Sequence, residues 1–193
     1  MDLVGRTGLV TGASGFVGGH LAIRLATEQG AHVRALVRQT SRTDHLQGLG
    51  IQLCRGDVTE PDSLRSASEG VDVVFHTAAM AREWGKAEEM HRVNAWGTGN
   101  VLRAAVEAGV ARVVHTSSIA VYGIEPADGT DESFAFNHAS GNPYADSKIA
   151  AEELAQIYYQ DKGLHVTILR PAEIYGPRSR TTTVGPVLAF RMG

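Results

Sequence analysis

The 193-residue chain is long enough for one domain with a hydrophobic core, and its apolar content of 43% is ordinary for a globular protein. A formal net charge of −3 argues against nucleic acid or an anionic membrane as partner, and no apolar run reaches the about 20 residues that a membrane helix needs. The first predicted strand begins so early that no signal peptide is expected, so the cytoplasm is the expected compartment. Cys54 is the only cysteine, which excludes an internal disulfide.

Apolar, β-branched runs alternate with helical patterns along the whole chain. The predicted strands are 8–11, 32–37, 51–54, 72–75, 112–116 and 165–169, and the predicted helices are 16–29, 62–68, 87–108 and 144–162. A glycine follows each helix, at 30, 70, 109 and 163, where a left-handed cap is favoured. This alternation predicts an α/β fold, a doubly wound parallel sheet of the Rossmann type, with ligands at the carboxyl ends of its strands.

A glycine turn lies between the first strand and the first helix. Its glycines, Gly12, Gly15 and Gly18, have the spacing Gly-x-x-Gly-x-x-Gly. Gly12 permits a tight turn, Gly15 lets a phosphate approach the backbone, and Gly18 lets the helix pack closely on the strand. With the positive end of the helix dipole, this pattern predicts a pyrophosphate site. The alternative is a glycine-rich turn that binds no ligand.

The end of the second strand bears on the choice of cofactor. A site that selects NAD usually places Asp or Glu there for the ribose 2′-hydroxyl, but this chain has Val37, followed by Arg38, Ser41 and Arg42. A guanidinium and hydroxyls suit a 2′-phosphate, so NADP is favoured, with NAD as the alternative. Arg38 in a solvated loop, or stacked on the adenine of either cofactor, is the other interpretation.

Two further strand ends carry polar residues. Asp57 is predicted either to accept a hydrogen bond from the adenine amino group, with Val58 against the ring, or to cap the next turn. His76 and His115 are predicted to be packed core histidines, because no second ligand stands at a metal-binding spacing, and no metal site is expected.

The helix and loop after the fourth strand are also informative. Asn94 is predicted to be a buried hydrogen-bonding residue between helix and sheet, and Gly97 to allow close packing. The loop 80–85 is expected either to face a substrate or to lie on the surface.

Three side chains indicate proton and hydride chemistry. Ser118 follows the fifth strand, while Tyr144 and Lys148 stand at i and i+4 on one helix face. A phenol has a pKa of about 10, and a neighbouring ammonium is expected to lower that pKa. Ser118 can hydrogen-bond a carbonyl oxygen while Tyr144 transfers its proton. A tyrosine and a lysine at this spacing are common by chance. The pair indicates function here because it follows the glycine turn and the strand-end serines in the expected chain order.

Several segments in chain order carry a family resemblance: Thr11 to Gly18, Asp57-Val58, His76-Thr77-Ala78-Ala79, Asn94 with Gly97-Thr98, Thr116-Ser117-Ser118 with Val121-Tyr122-Gly123, Tyr144 with Lys148, and Arg170-Pro171 with Ile174-Tyr175-Gly176-Pro177. Together they resemble the extended short-chain dehydrogenases/reductases, the NAD-dependent epimerase/dehydratase group. The resemblance implies that Ser118, Tyr144 and Lys148 form a catalytic triad. It places Pro171 and Ile174 by the nicotinamide, and it implies that these residues line the cofactor: Gly12, Gly15, Phe16, Val17, Asp57, Val58, Thr77, Ala78 and Ala79.

The resemblance also sets the expected domains and functions. Residues 1–178 are expected to bind the dinucleotide and 179–193 to begin a substrate-binding domain that is otherwise missing. The chain is therefore interpreted as a fragment, and the alternative is a complete short protein with a half-built substrate cleft. The segment 33–38 resembles dihydroflavonol reductases and 3β-hydroxysteroid dehydrogenases, whereas 118–123 and 174–177 resemble enzymes of nucleotide sugars.

The expected function is therefore reversible hydride transfer on a nucleotide sugar. The alternative is an NADPH-dependent ketone reductase or hydroxysteroid-type dehydrogenase, and a dinucleotide-sensing regulator is a third hypothesis. Ile119-Ala120 replaces the Asp-Glu of the family's dehydratases, which argues against dehydration. The family implies a homodimer through the helices that contain Asn94 and Tyr144.

Overall fold

The alternating strands and helices build one six-stranded parallel sheet, in the order β3-β2-β1-β4-β5-β6. A computed structural model describes residues 2–81, 85–123, 126–184, 187–188 and 190. The strands are β1 (Thr7–Thr11), β2 (His32–Val37), β3 (Gln52–Arg55), β4 (Val73–His76), β5 (Arg112–Thr116) and β6 (Val166–Leu169). The doubly wound Rossmann architecture is confirmed, and every predicted strand lies within one residue of its observed bounds.

Helices cover both faces of the sheet. They are α1 (Phe16–Thr27), α2 (Pro61–Ser68), α3 (Ala87–Met90), α4 (Gly97–Glu107) and α5 (Pro143–Lys162). The segment His91–Trp96 is π-helical and joins α3 to α4 without a break, so the single predicted helix 87–108 contains a widened turn that its apolar period did not reveal. Short 3₁₀ turns, Asp44–Leu46 and Ile119–Tyr122, were not predicted either.

The two sheet faces have separate hydrophobic cores. Leu9 and Leu36 face a cluster with α2, α4 and α5, whereas Val10 and Val37 face α1. Because neighbouring residues of one strand point to opposite faces and both faces are covered, the last four residues of β1 and the last three of β2 are all buried. The strands that position the site are therefore held from both sides.

The turns at the two edges of the sheet follow from the strand order and from how the helices begin and end. The order reverses between β1 and β4, which is where a doubly wound sheet leaves a crevice for a ligand. The glycines at 30, 70, 109 and 163 all have positive φ, as predicted for residues that end helices. Asn142 caps α5, since its Oδ1 accepts hydrogen bonds from the backbone N–H groups of Tyr144 and Ala145 at 2.9 and 3.1 Å.

The last part of the chain is described only in part. Arg180–Val184 is π-helical, and residues 187, 188 and 190 are helical, as expected for the beginning of a helix there. Of the helices that the structure describes, none has both the length and the apolar character that a membrane crossing requires.

Candidate functional site

The glycine turn adopts the geometry that its sequence predicts. Gly12 has φ 73°, and its carbonyl oxygen accepts a hydrogen bond from the Gly15 N–H at 2.8 Å. A Cβ on Gly12 would lie 2.7 Å from the backbone nitrogen of Ala78, and one on Gly18 would lie 2.4 Å from Oγ1 of Thr77. Both glycines are therefore required for the close approach of β1, α1 and the segment after β4.

The N-terminus of α1 fits a phosphate. Gly15 is the N-cap and carries no side chain to bond the first N–H groups of the helix. Those N–H groups point out of the helix end, where the dipole is positive. Phe16 and Val17, the first residues of α1, are half-buried, and Phe16 lies about 3.4 Å from the position of a Cβ on Gly176. The donors, the dipole and the glycine cradle together suit the diphosphate of a dinucleotide.

Arg178 and His45 stand over this turn, and neither was predicted from the sequence. Arg178 Nη2 lies 3.3 Å from the carbonyl oxygens of Ser14 and Gly15 and 3.0 Å from His45 Nε2. The same Nε2 is 3.1 Å from the Ala13 carbonyl oxygen, so it can satisfy only one of its two neighbours at a time. Arg178 Nη1 is buried and has no hydrogen-bond partner among the described residues, which makes this corner suitable for an anion.

Gly19 makes room for these two side chains. A Cβ there would lie 2.7 Å from Arg178 Nη1 and 2.9 Å from His45 Nε2. The Gly18-Gly19 doublet was the available signal in the sequence. Arg178 itself has φ 74°, the only positive φ among the described non-glycine residues, and no sequence pattern pointed to it.

Arg38, Asp57 and Val58, predicted at the adenosine end, follow the ends of β2 and β3. Arg38 is exposed at the end of β2, and its guanidinium has no acidic partner in the part of the chain that the structure describes. Asp57 Oδ1 accepts hydrogen bonds from the backbone N–H and Oγ1 of Thr59, at 2.9 and 2.8 Å, so the turn-capping alternative is observed. Val58 is buried beside Gly97, and its contact with an adenine ring stays a prediction.

The segment after β4 is fastened to the tip of β1. Thr77 Oγ1 donates to the Thr11 carbonyl oxygen at 2.7 Å, and the Ala78 N–H donates to Thr11 Oγ1 at 3.3 Å. Ala79 follows and is exposed. These small residues border the crevice between β1 and β4. In the loop after them, Arg82, Glu83 and Trp84, which were considered as substrate-facing residues, lie outside the described residues.

Ser118 and Tyr144 meet at the carboxyl end of β5. Ser118 caps the 3₁₀ turn that follows, with its Oγ accepting from the Ala120 N–H at 3.2 Å. Tyr144, in the first turn of α5, is near enough to Ser118 for the serine hydroxyl to act on the pKa of the phenol. The two hydroxyls that the sequence placed 26 residues apart thus share one position at the tips of the strands.

Lys148 is buried one turn further along α5, with an exposed fraction of 2%. Its Nζ donates to the Thr116 carbonyl oxygen at 2.7 Å, which holds the ammonium against the end of β5. Burial lowers the pKa of Lys148 to about 8, and the Glu152 carboxylate acts against that shift. The lysine is therefore mostly protonated at neutral pH.

The expected lowering of the Tyr144 pKa is wrong for this structure. Burial raises the pKa of the phenol, and the hydrogen bond with Ser118 only opposes that rise. The Lys148 ammonium donates to the Thr116 carbonyl oxygen, so desolvation decides the direction of the shift for the phenol.

His76 and His115 are confirmed as buried histidines. The His76 ring is bonded to Thr11 Oγ1 and Thr98 Oγ1 at 2.7 and 2.9 Å and stacks on His115 at 5.3 Å. Burial first, and then the Lys148 charge, lower the pKa of His76 to about 3 and that of His115 well below its ordinary value. In the described ranges, no three His, Cys, Asp or Glu side chains are grouped as metal ligands.

Asn94 supports the site from the π-helical segment. Its Oδ1 accepts from the Met80 N–H at 2.7 Å, and its Nδ2 donates to the Met80 carbonyl oxygen and to Ser147 Oγ at 3.2 and 2.9 Å. The predicted role as a buried linking residue is confirmed, although Asn94 joins the loop after β4 to α5 rather than to a strand.

Pro171 and Ile174 follow β6 on the same edge of the sheet. The Pro171 carbonyl oxygen accepts from the Ile119 N–H at 3.1 Å, next to Ser118. Ile174 is 39% exposed, and its carbonyl oxygen accepts from Thr182 Oγ1 at 2.7 Å. Their place beside a nicotinamide stays a prediction.

Comparison with known proteins agrees with this geometry. The profile of the NAD dependent epimerase/dehydratase family matches residues 8–191. The chain is 39% identical over 191 residues to sterol demethylase protein B of Methylococcus capsulatus, covering 97% of this chain. It is 36% identical over 172 residues to 2-alkyl-3-oxoalkanoate reductase of Stenotrophomonas maltophilia, covering 88% of this chain.

A solved structure shares the fold. DesIV, a dTDP-glucose 4,6-dehydratase of Streptomyces venezuelae with NAD and TYD bound, superposes with a TM-score of 0.85 at 30% identity, covering 96% of this chain. The chain spans 58% and 51% of the lengths of the two curated relatives and 62% of the DesIV chain.

Proposed function

The chain belongs to the NAD dependent epimerase/dehydratase family, and on this premise we propose that it transfers a hydride reversibly between a nicotinamide dinucleotide and a carbinol or carbonyl carbon. The observation that carries the proposal is that Ser118 and Tyr144 come together at the tip of β5, with the buried Lys148 ammonium bonded to the Thr116 carbonyl oxygen at the end of the same strand. The dinucleotide supplies or accepts the hydride, and the side chains of the chain handle the proton.

In reduction, Tyr144 donates its phenolic proton to the carbonyl oxygen while Ser118 donates a hydrogen bond to the same oxygen. The raised pKa of Tyr144 keeps the phenol protonated at neutral pH, which is the form that an acid needs. The positive charge of Lys148 stabilises the phenolate left behind. In oxidation the same groups act in reverse, and the phenolate form becomes limiting.

The glycine turn and the N-terminus of α1 would hold the diphosphate of the cofactor. Arg38 would meet the adenosine ribose, where its free guanidinium supports NADP over NAD. Arg178 adds positive charge at the turn, and His45 lies against its guanidinium. Thr77, Ala78 and Ala79 would border the dinucleotide in the crevice, and Pro171 and Ile174 would flank the nicotinamide.

We propose two candidate substrate classes, a ketone first and a nucleotide sugar second. A ketone reduced by NADPH is favoured by Arg38, by the raised pKa of Tyr144 and by the reductase among the relatives. A nucleotide sugar, the first expectation from the sequence, keeps support from the fold of the dTDP-glucose dehydratase. The Ile119-Ala120 pair still argues against dehydration itself.

The domain division and the oligomer are proposals as well. Residues 1–178 would bind the dinucleotide, and 179–193 would belong to a substrate-binding part, since the relatives extend beyond the matched region. A second copy of the chain is proposed as partner along the π-helical segment His91–Trp96, α4 and α5, where Trp96, Ile157 and Tyr159 are exposed.

The reaction is tested by following reduced nicotinamide absorbance with NADPH and a panel of 3-oxoacids, other ketones and nucleotide sugars. Stoichiometric oxidation of NADPH with an oxoacid or ketone is the expected result. Conversion of a nucleotide sugar to its epimer without net NADPH oxidation would favour the second candidate, because an epimerase regenerates its cofactor in each cycle. Absence of both, in protein that binds the dinucleotide, would contradict the proposed activity.

Arg38→Asp is expected to reverse the cofactor preference. The charge-assisted bonds between a guanidinium and a phosphate contribute about 1.5–3 kcal/mol, so NADPH affinity should fall by about 10- to 100-fold while NADH affinity rises. Fluorescence titration with both cofactors measures this. Arg112→Asp, the same charge change at the opposite edge of the sheet, is the control and should leave both affinities unchanged. An unaltered preference in Arg38→Asp would exclude Arg38 as the residue that reads the phosphate.

A further inference from the structure

A buried ion pair lies directly behind the three proposed catalytic residues. Glu152 is on α5, one turn after Lys148, with an exposed fraction of 0%. Arg170, just after β6, donates from Nε to both carboxylate oxygens at 3.0 Å and from Nη2 to Oε2 at 2.7 Å. A carboxylate this deep needs such a partner, because an unpaired buried charge is strongly destabilising.

Arg170 also reaches the element that carries Ser118. Its Nη1 donates to Tyr122 Oη, and its guanidinium stacks 5.1 Å above the Tyr122 ring. Tyr122 ends the 3₁₀ turn that Ser118 caps. The same Nη1 donates to the Glu132 carbonyl oxygen at 3.2 Å. One guanidinium therefore joins α5, the Ser118 turn and the loop around residue 132.

Glu152 is also the acid that faces Lys148. The groups around the ammonium are the Thr116 carbonyl oxygen and the His76 and His115 rings from the strands, and Glu152 from its own helix. Both rings are neutral, since burial and the Lys148 charge hold their pKa values low. In the described part of the chain, Glu152 is thus the negative charge that acts on the buried ammonium.

We propose that Glu152 and Arg170 are positioning residues of the site: their ion pair fixes the Ser118 turn against α5, and the Glu152 charge balances the Lys148 ammonium. The inference rests on the proposed function only in that the proposed function makes Ser118 and Lys148 catalytic residues. Neither residue of the pair has to touch substrate or cofactor. From the sequence, Arg170 was singled out only as part of a family motif, and Glu152 was not predicted to have a role.

The test is a titration of the lysine ammonium groups by NMR in isotopically labelled protein. The chain has three lysines, Lys86, Lys148 and Lys162, and the two others are exposed, so they serve as internal references. Glu152→Gln removes the balancing charge and leaves the Arg170 cation. It should lower the pKa of Lys148 by about one pH unit or more. Glu153→Gln, the same change at the exposed neighbouring position, is the matched control and should not alter it.

Arg170→Met should shift the titration in the opposite direction, because the Glu152 charge then acts on Lys148 alone. A change in packing that left the charge balance intact would not shift the pKa of Lys148 in opposite directions in the two variants. Where Glu152→Gln does not fold, the double variant Glu152→Gln/Arg170→Met leaves neither charge unpaired. It should still lower the pKa of Lys148, by less than the single variant.

An unchanged Lys148 titration in the folded Glu152 variant, or in the double variant, would overturn the inference. Dinucleotide binding is measured separately by fluorescence. Protein that shows the expected titrations but binds no dinucleotide would contradict the proposed function and leave the role of the ion pair standing. A variant that binds dinucleotide but shows an unchanged Lys148 titration would contradict the role of the ion pair and leave the proposed function standing.

Discussion

Gly18→Ala is expected to weaken dinucleotide binding by at least about tenfold and to lower the free energy of unfolding by about 1–3 kcal/mol. The new Cβ would lie 2.4 Å from Thr77 Oγ1 and 2.5 Å from the Gly12 carbonyl oxygen. Thr77 cannot simply turn away, because its Oγ1 is bonded to the Thr11 carbonyl oxygen. Helix α1 must therefore move off the turn, and its N-terminal N–H groups move with it.

The measurements are NADPH fluorescence titration and chemical denaturation. Gly99→Ala in α4 is the control, since a Cβ there would lie 3.4 Å from Leu154 Cδ1, an ordinary contact. Alanine is favoured over glycine in a helix by about 1 kcal/mol, so the control should be neutral or slightly more stable. Unchanged binding in Gly18→Ala would mean that the turn does not hold the diphosphate.

Tyr144→Phe should reduce turnover in the hydride-transfer assay by about 10²- to 10⁴-fold, the range that general acid–base catalysis supplies. The substitution removes the proton donor but keeps the half-buried ring at the start of α5. Dinucleotide affinity should stay within about twofold of the wild type, because the glycine turn is untouched.

Tyr159→Phe removes a hydroxyl from an exposed position of the same helix and should have no effect on turnover. Full turnover in Tyr144→Phe would show that another group transfers the proton. A loss of turnover accompanied by loss of dinucleotide binding would show instead that Tyr144 acts mainly in binding.

The sequence predicted the sheet well because its signals are local. Each strand is a short apolar run, and each helix is followed by a glycine whose positive φ the structure confirms. The glycine turn was readable for the same reason, since its spacing, the strand before it and the helix after it lie within about 20 residues. The π-helical segment His91–Trp96 was not readable, because a widened turn leaves the apolar period nearly unchanged.

The candidate site was only partly predictable. Lys148 was expected to lower the pKa of Tyr144, but burial, which depends on how deeply α5 packs, raises that pKa. Arg178 and His45 were missed because they are 133 residues apart and meet only when the segment after β6 crosses to the first turn. Glu152 was not predicted because it belongs to none of the sequence motifs.

The amino-acid sequence by itself determined the parallel α/β fold, the glycine turn and the order in which Ser118, Tyr144 and Lys148 follow it, because apolar periodicity, glycine spacing and helical spacing are properties of short segments. Only the tertiary structure decided which charges are buried, which hydroxyls come together and which side chains meet over the turn. Those properties depend on desolvation and on contacts between distant segments, such as Arg178 with Ser14, 164 residues apart.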